Sequence, residues 1–186
     1  MKQILSVARM GHPILRERAK EIDPARIPTP EFQDLIDSML LTMEEYEGVG
    51  LAAPQVHLGE RLVVFAEGAG LEDADGEPLL ALINPQIEAL TDETRAMWEG
   101  CLSVPGLRGR VSRPARIRVR GLDRRGRPVD LELEDFDAVV TQHECDHLDG
   151  VLFLDRLDDT RLLAFEKEFE KHWLANAEDD GDYVGD

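Results

Sequence analysis

Apolar residues recur at helical spacing in three parts of the chain. In 30–46 they stand three and four positions apart, behind a threonine that can cap a helix and a proline suited to its first position. The segment 136–149 shows the same spacing and ends before a glycine. The pattern predicts helices in these two segments, and a third from about 159 that carries Leu162, Phe165, Phe169 and Trp173.

Strand patterns lie between the predicted helices. Apolar runs at 61–66 and 79–84 indicate strands, and apolar and charged residues alternate through 115–134, which predicts a hairpin whose arginines face carboxylates across the strands. Regular strand–helix alternation is absent from the pattern. We therefore predict one α+β domain, residues 1–175, with mixed or antiparallel sheets packed around the helix at 136–149 and with helices towards both ends. Residues 176–186 are predicted to form an acidic, flexible tail.

The net charge of −18 predicts a self-repelling surface and argues against a direct nucleic-acid site, which would need clustered Lys and Arg. The chain has no apolar run near the roughly 20 residues of a membrane span, and its first residues lack the apolar stretch of a signal peptide. We therefore expect a cytoplasmic protein without a membrane segment. In that compartment Cys101 and Cys145 are expected to be reduced thiols or metal ligands.

The stretch "QHECDHLDG" (142–150) carries the first chemical signal. His143 and His147 stand four positions apart, so on a helix they share one face and can reach one metal ion. Glu144, beside the first histidine, can reach a water at that ion without being a ligand, which is the position of a general base. The alternative to a metal site is a structural role, in which the two histidines pair with nearby carboxylates. Their place on the apolar stripe favours a metal site.

A catalytic metal usually has three protein ligands, so a third residue is needed. Phe153 occupies the position where metzincins carry a third histidine, which excludes that pattern. Cys101, in the turn-like stretch "WEGCLSVPG", is the favoured ligand, and Glu166 or Glu170 would serve in a peptidase with a glutamate ligand. A Cys–His₂ set can also hold copper for electron transfer, although such a site has no use for the neighbouring glutamate. Cys145 is predicted to face away from the histidines and to pack.

Three stretches, "GVGLAAPQ" (48–55), "EGCLSVPG" (99–106) and "QHECDHLDG" (142–150), resemble in order and approximate spacing the three signature motifs of peptide deformylases. The resemblance implies a metal held by Cys101, His143 and His147. It also implies Fe²⁺ as the native metal, one ion per chain, with Zn²⁺, Ni²⁺ or Co²⁺ as possible substitutes. The implied reaction removes the N-formyl group from the N-terminal methionine of newly made proteins and releases formate.

The same resemblance implies roles for single residues. Glu144 would be the general base, while the Gln55 side-chain amide and the Leu102 backbone N–H would stabilise the oxyanion together with the metal. Gly50 would let the peptide backbone approach and pair as an added strand. Arg108 would lie near the peptide cleft. Residues that could line a slot for the methionine side chain, and that fit a plain core role equally well, are Val49, Met97, Phe136, Val139 and Val140.

The sequence leaves two questions about binding partners open: association with the ribosome and the identity of the substrate. Members of the resembled family can associate with ribosomes through a basic C-terminal helix, but here the last predicted helix is mixed in charge and its tail is acidic. Any ribosome association is therefore expected to be transient, and docking by that route is in doubt. The substrate could also differ from formyl-methionine, since the motifs speak for the reaction and say little about the side-chain slot.

Overall fold

The structure, a computed structural model of the 186-residue chain, describes residues 2–67, 71–72, 76–175 and 177. Within these residues the elements are α1 Pro30–Glu45, β1 Gly50–Ala52, β2 Leu62–Phe65, β3 Ala81–Ala89, β4 Thr94–Glu99, β5 Leu107–Pro114, β6 Arg116–Leu122, β7 Pro128–Glu134, α2 Asp135–Leu148, β8 Leu163–Phe165 and α3 Glu166–His172. The predicted α+β class is confirmed. The acidic tail predicted for 176–186 lies outside the described residues, apart from Ala177.

Helix α1 forms where its pattern predicted it. The Thr29 side chain accepts a hydrogen bond from the Phe32 N–H at 3.4 Å, and Pro30 stands at the first turn, where its missing N–H costs nothing. The apolar face of α1 packs on residues of β1, β2 and β3 in one hydrophobic cluster, and its buried apolar residues are Phe32, Ile36, Met39 and Met43.

The larger sheet has five strands in the order β1-β2-β3-β6-β7, and every neighbouring pair is antiparallel. Its β6–β7 hairpin has the two faces that alternation predicted. Ile117 and Val119 are buried, whereas Arg118 donates to Asp130 at 2.6 Å on the exposed face. Arg118 and Arg120 of β6 are thus neutralised by carboxylates of their own sheet.

The smaller sheet, in the order β4-β5-β8, was not predicted. Strands β4 and β5 contain arginines and a glycine that interrupt the apolar pattern of ordinary strands. They pair in register from Thr94↔Pro114 to Glu99↔Gly109, and β4 ends two residues before Cys101. This sheet therefore decides where the favoured third ligand lies.

A last helix forms as predicted, but its predicted start at about 159 was wrong. Residues 160–162 form a 3₁₀ turn, β8 follows, and the helix begins only at Glu166. The physical reason is tertiary: the backbone of β8 pairs with the edge of β5, and that pairing leaves the Phe165 side chain 71% exposed. The later apolar positions do pack, since the Phe169 ring lies 5.0 Å from that of Trp98.

Helix α2 lies between the two sheets, in contact with β1, β7, β4 and β5, and is buried from Ala138 to Leu148. The chain turns away at Gly150, where φ is +74° and an added Cβ would lie 2.7 Å from the Arg16 backbone. A glycine is therefore required at this point by both conformation and space. None of the helices in the described ranges is both long and apolar enough to cross a membrane.

Candidate active site

Three buried side chains meet beside α2. One ligand atom each from Cys101, His143 and His147 lie within 4.8 Å of one another, and the Cys101 Sγ lies 3.3 Å from the His147 Nε2. One thiol sulfur and two imidazoles suit iron, zinc, nickel or cobalt, and three protein ligands leave a position open for chemistry. The residues present therefore fit a catalytic transition metal.

The glutamates that competed for the third position lie elsewhere. Glu166 accepts a hydrogen bond from Arg108 at 2.9 Å, and Glu170 is exposed on α3. Cys145 is buried on α2 outside the ligand cluster, and burial raises the pKa of its thiol above the ordinary range, which disfavours the thiolate that a metal would bind. The side chain placed to be the third ligand is therefore that of Cys101, two residues after the end of β4.

The ring of His143 is held from behind by Glu99. The His143 Nδ1 lies 2.7 Å from a Glu99 oxygen, and Arg113 grips both Glu99 oxygens at 2.6 and 2.9 Å. Burial alone would raise the pKa of Glu99, but the charge and hydrogen bonds of Arg113, with the hydrogen bond from His143, lower it to about 2. The ionised carboxylate fixes the proton on Nδ1 and leaves Nε2 for a metal. Glu99 and Arg113 were not singled out in the sequence.

Glu144 has the opposite surroundings. It is 5% exposed, and burial, with a smaller contribution from the charge of Glu99, raises its pKa to about 7 against the influence of His143 and Arg113. Its Oε2 is buried and has no hydrogen-bond partner among the described residues. A Cβ on Gly50 would lie 2.7 to 2.9 Å from three atoms of this side chain, so Glu144 occupies space that only a glycine leaves. The glycine thus has a steric role that the sequence alone did not indicate.

Gln55 and the Leu102 N–H are oriented by backbone contacts. The Ala52 N–H donates to the Gln55 Oε1 at 2.8 Å, which turns the Nε2 of this buried side chain towards the Cys101 Sγ at 3.5 Å. The Cys101 carbonyl accepts from the Val104 N–H at 2.8 Å. Because the Leu102 N–H belongs to the same peptide plane and points the opposite way, this bond also fixes the direction of that donor.

A segment near the N-terminus ties these two donors together, which the sequence did not reveal. The Ala8 N–H donates to the Gln55 carbonyl at 2.7 Å, and the Met10 N–H donates to the Ser103 carbonyl at the same distance. Between them, the Arg9 guanidinium donates to the Leu102 carbonyl. The main-chain bonds carry no side-chain signature, so no sequence pattern could have found them.

The cluster opens into a cleft whose apolar wall includes Val49, Leu102, Val139 and Val140, with Gly50, Gln55 and Glu144 on its polar side. We call this region the cleft. Met97 and Phe136, the other predicted slot residues, belong to the hydrophobic cluster that contains Val139 and Val140 and are not among the residues that line the cleft. Arg108 is buried against Glu166 and also does not line it.

A Cys–His₂ cluster with a buried glutamate beside it, at the base of an apolar cleft, defines a metal-dependent hydrolase. The family model described as Polypeptide deformylase matches residues 4–162. The chain belongs to the polypeptide deformylase family, whose activity removes the N-formyl group from nascent peptides. This membership sets aside the copper protein and the peptidase with a glutamate ligand.

Individual relatives agree over most of the chain. Peptide deformylase 1 of Bordetella pertussis is 46% identical over 164 residues, which cover 87% of this chain and 92% of that protein. The peptide deformylase of Leptospira biflexa is 39% identical over 90% of this chain and 95% of its own length. The crystal structure of the enzyme from Thermotoga maritima matches with a TM-score of 0.75 at 39% identity, over 84% of this chain and 99% of that one.

A peptide complex is also among the similar structures. The class I type b peptide deformylase from Acinetobacter baumannii, with Met-Ala-Ser bound, matches with a TM-score of 0.75 at 34% identity. The match covers 84% of this chain and 100% of the Acinetobacter baumannii chain.

Proposed function

We propose that this protein removes the formyl group from the N-terminal methionine of newly made proteins, with Glu144 as general base and with Gln55 and the Leu102 N–H as oxyanion donors. The observation that carries the proposal is the position of Glu144 in the cleft that Cys101 and His143 also line, with a buried Oε2 that has no hydrogen-bond partner among the described residues. A buried acceptor without a partner is costly unless water or substrate satisfies it.

The residues of the cleft divide the reaction between them. Glu144 takes a proton from a water molecule while the water oxygen attacks the formyl carbon. Glu144 later returns a proton to the leaving amine. As the formyl carbon becomes tetrahedral, the Gln55 Nε2 and the Leu102 N–H donate to its oxygen, each contributing roughly 3–4 kcal/mol to transition-state stabilisation. The products are formate and a peptide with a free N-terminus.

Cys101, His143 and His147 would hold the metal, and we propose Fe²⁺ as the native ion, with Zn²⁺, Ni²⁺ or Co²⁺ as substitutes. When bound, such an ion supplies Lewis-acid activation of water and of the carbonyl oxygen. The donor set supports this group of ions over Mg²⁺ or Ca²⁺, which prefer oxygen ligands.

The peptide would lie along the outer edge of β1. β1 is an edge strand of the larger sheet, and Gly50 presents backbone without a side chain in the cleft. The methionine side chain would enter between Val49, Val139 and Val140, with Met97 and Phe136 behind them. Arg108, bound to Glu166, would support the outer part of the peptide path. The Met-Ala-Ser complex of the Acinetobacter baumannii enzyme supports a methionine peptide as ligand.

We further propose that residues 1–175 form the catalytic domain, with 176–186 as an acidic tail, and that the protein works in the cytoplasm. Contact with the ribosome would be transient. Helix α3 carries charges of both signs, and the net charge of −18 disfavours strong attachment to ribosomal RNA.

The test is formate release from formyl-Met-Ala-Ser by anaerobically purified, iron-loaded protein, with metal content measured on the same sample. Glu144→Ala is expected to keep the metal and lose about 10²–10⁴-fold in kcat, the usual contribution of a general base. Formyl-Leu-Ala-Ser and acetyl-Met-Ala-Ser test the slot and the acyl group. No formate from fully iron-loaded wild type would overturn the proposal, and faster turnover of another acyl peptide would replace its substrate.

A further inference from the structure

Four charged side chains connect the back of His143 to the surface on the far side of α2. Glu99 accepts from His143, Arg113 donates to Glu99, and the Arg113 Nη1 also donates to Asp146 at 2.7 Å. Arg156 in turn grips Asp146 with its Nε at 3.0 Å and its Nη2 at 2.6 Å. We call Glu99, Arg113, Asp146 and Arg156 the rear network.

The side chains of the rear network become steadily more exposed from Glu99 to Arg156. The side chains of Glu99 and Arg113 are 1% and 3% exposed, that of Asp146 is 12% exposed, and that of Arg156 is 49% exposed. The outer three residues line a cavity of about 440 Å³ behind α2, whose other charged residues are Arg18, Arg61 and Asp149. Arg61 and Arg18 both pair with Asp149, so they leave the Asp146–Arg156 contact to itself.

The charges in the network alternate in sign, so that a change in the contacts of Arg156 is passed through Asp146 and Arg113 to Glu99. A bidentate contact with Arg113 withdraws electron density from Glu99, and a less electron-rich Glu99 makes His143 a weaker donor to a metal. Asp146 competes with Glu99 for Arg113, because one guanidinium serves both carboxylates. Arg156 competes with Arg113 for Asp146, since both donate to its Oδ2.

We propose that Asp146 and Arg156 are positioning residues that set, from the rear of α2, how strongly His143 donates to the metal. The proposal rests on the ligand set of the proposed function and extends it to two residues that touch neither metal nor substrate. Loss of Asp146 lets Arg113 act on Glu99 alone, and loss of Arg156 lets Asp146 draw Arg113 away. The two changes therefore act on metal affinity in opposite directions.

The experiment measures Zn²⁺ and Co²⁺ affinity of the purified full chain by chelator competition, together with the visible absorption spectrum of the Co²⁺ form. Asp146→Asn is expected to weaken binding about 10-fold, at the lower end of the range for partners of metal ligands. Arg156→Gln is expected to tighten it roughly threefold, the effect of removing one partly screened positive charge that does not contact the ligands. Arg156→Lys, which keeps the charge, should return affinity to near wild type.

Arg120→Gln is the matched control, because it removes an arginine that also pairs with carboxylates, Glu88 and Asp130, but has no link to Glu99. It should leave metal affinity and the Co²⁺ spectrum unchanged. A merely structural role would weaken binding in both network variants and lower the unfolding temperature of the metal-free protein in parallel.

Weaker or unchanged affinity in Arg156→Gln, or a lysine variant that behaves like the glutamine variant, would overturn the proposal. Arg156 is half exposed, so its variants are expected to fold. Their metal affinity therefore tests the proposal even if Asp146→Asn does not fold. Metal affinity is measured without substrate. Failure here would therefore leave formate release intact, whereas failure of the proposed function would appear as metal-loaded protein that releases no formate.

Discussion

Two buried glutamates line the cleft, and they are held in opposite states: Glu144 belongs to the cleft alone, whereas Glu99 is also part of the rear network. Glu144 has a pKa raised to about 7 by burial, and its Oε2 has no hydrogen-bond partner within the described part of the chain. Glu99, in the rear network, is buried just as deeply, yet Arg113 and His143 hold its pKa at about 2. Burial alone therefore does not decide the role of an acid, because the hydrogen bonds and charges around it do.

The comparison separates reactivity from orientation. An acid that must exchange protons is left without competing partners. The free-energy cost of burying it is offset by stabilising contacts elsewhere in the fold. An acid that must hold a ring in place is saturated with hydrogen bonds, so that it stays charged and still. His143 lies between the two and receives its direction from Glu99.

The largest expected effect comes from removing the sulfur that the cleft contributes. Cys101→Ser should abolish tight metal binding and formate release, with a loss greater than the roughly 10–100-fold that partners of metal ligands cost. Cys145→Ser is the matched control, since that thiol is also buried but lies outside the ligand cluster. Metal content and kcat/KM would be measured for both. Equal losses in the two variants would contradict the assignment of Cys101.

A second prediction applies the same substitution to both glutamates. Glu99→Gln leaves the buried Arg113 with Asp146 as its remaining carboxylate, and should lower the free energy of unfolding of the metal-free protein by about 3–5 kcal/mol. Glu144→Gln replaces a buried acid whose Oε2 has no partner among the residues that the structure describes, so stability should be unchanged or higher while formate release falls. Urea unfolding of both variants gives the comparison. A destabilised Glu144→Gln and an unaffected Glu99→Gln would reverse the roles assigned here.

The smallest of the three effects concerns the space around the reactive acid. Gly50→Ala should push the Glu144 side chain from its place, because an added Cβ meets three of its atoms at under 3 Å. A displacement of about 1 Å costs on the order of 10²-fold in kcat while the metal stays bound. Gly59→Ala is the control, since an added Cβ there has no atom within 4 Å. Normal kcat in Gly50→Ala would mean that Glu144 tolerates the shift.

Local sequence predicted the elements that carry the strongest periodicity. Helices α1 and α2 formed where the spacing of apolar residues placed them, and the i, i+4 histidines followed from helix geometry alone. The α3 prediction failed at its start because β8 pairs with β5, a contact between residues far apart in the chain. Periodicity cannot report such a contact, because it depends on which edge is available in the folded sheet.

What the sequence determined by itself is the chemistry: a histidine pair with a glutamate between them, and a cysteine in a motif that resembles those of deformylases. The tertiary structure decided which side chains those groups meet. It brought Cys101 to the histidines by pairing β4 with β5 and gave Glu99 its partner in Arg113, whereas the Glu144 Oε2 has no partner in the described ranges. The physical reason is that a residue's type sets which bonds it can form, whereas its pKa and direction depend on neighbours brought together only by folding.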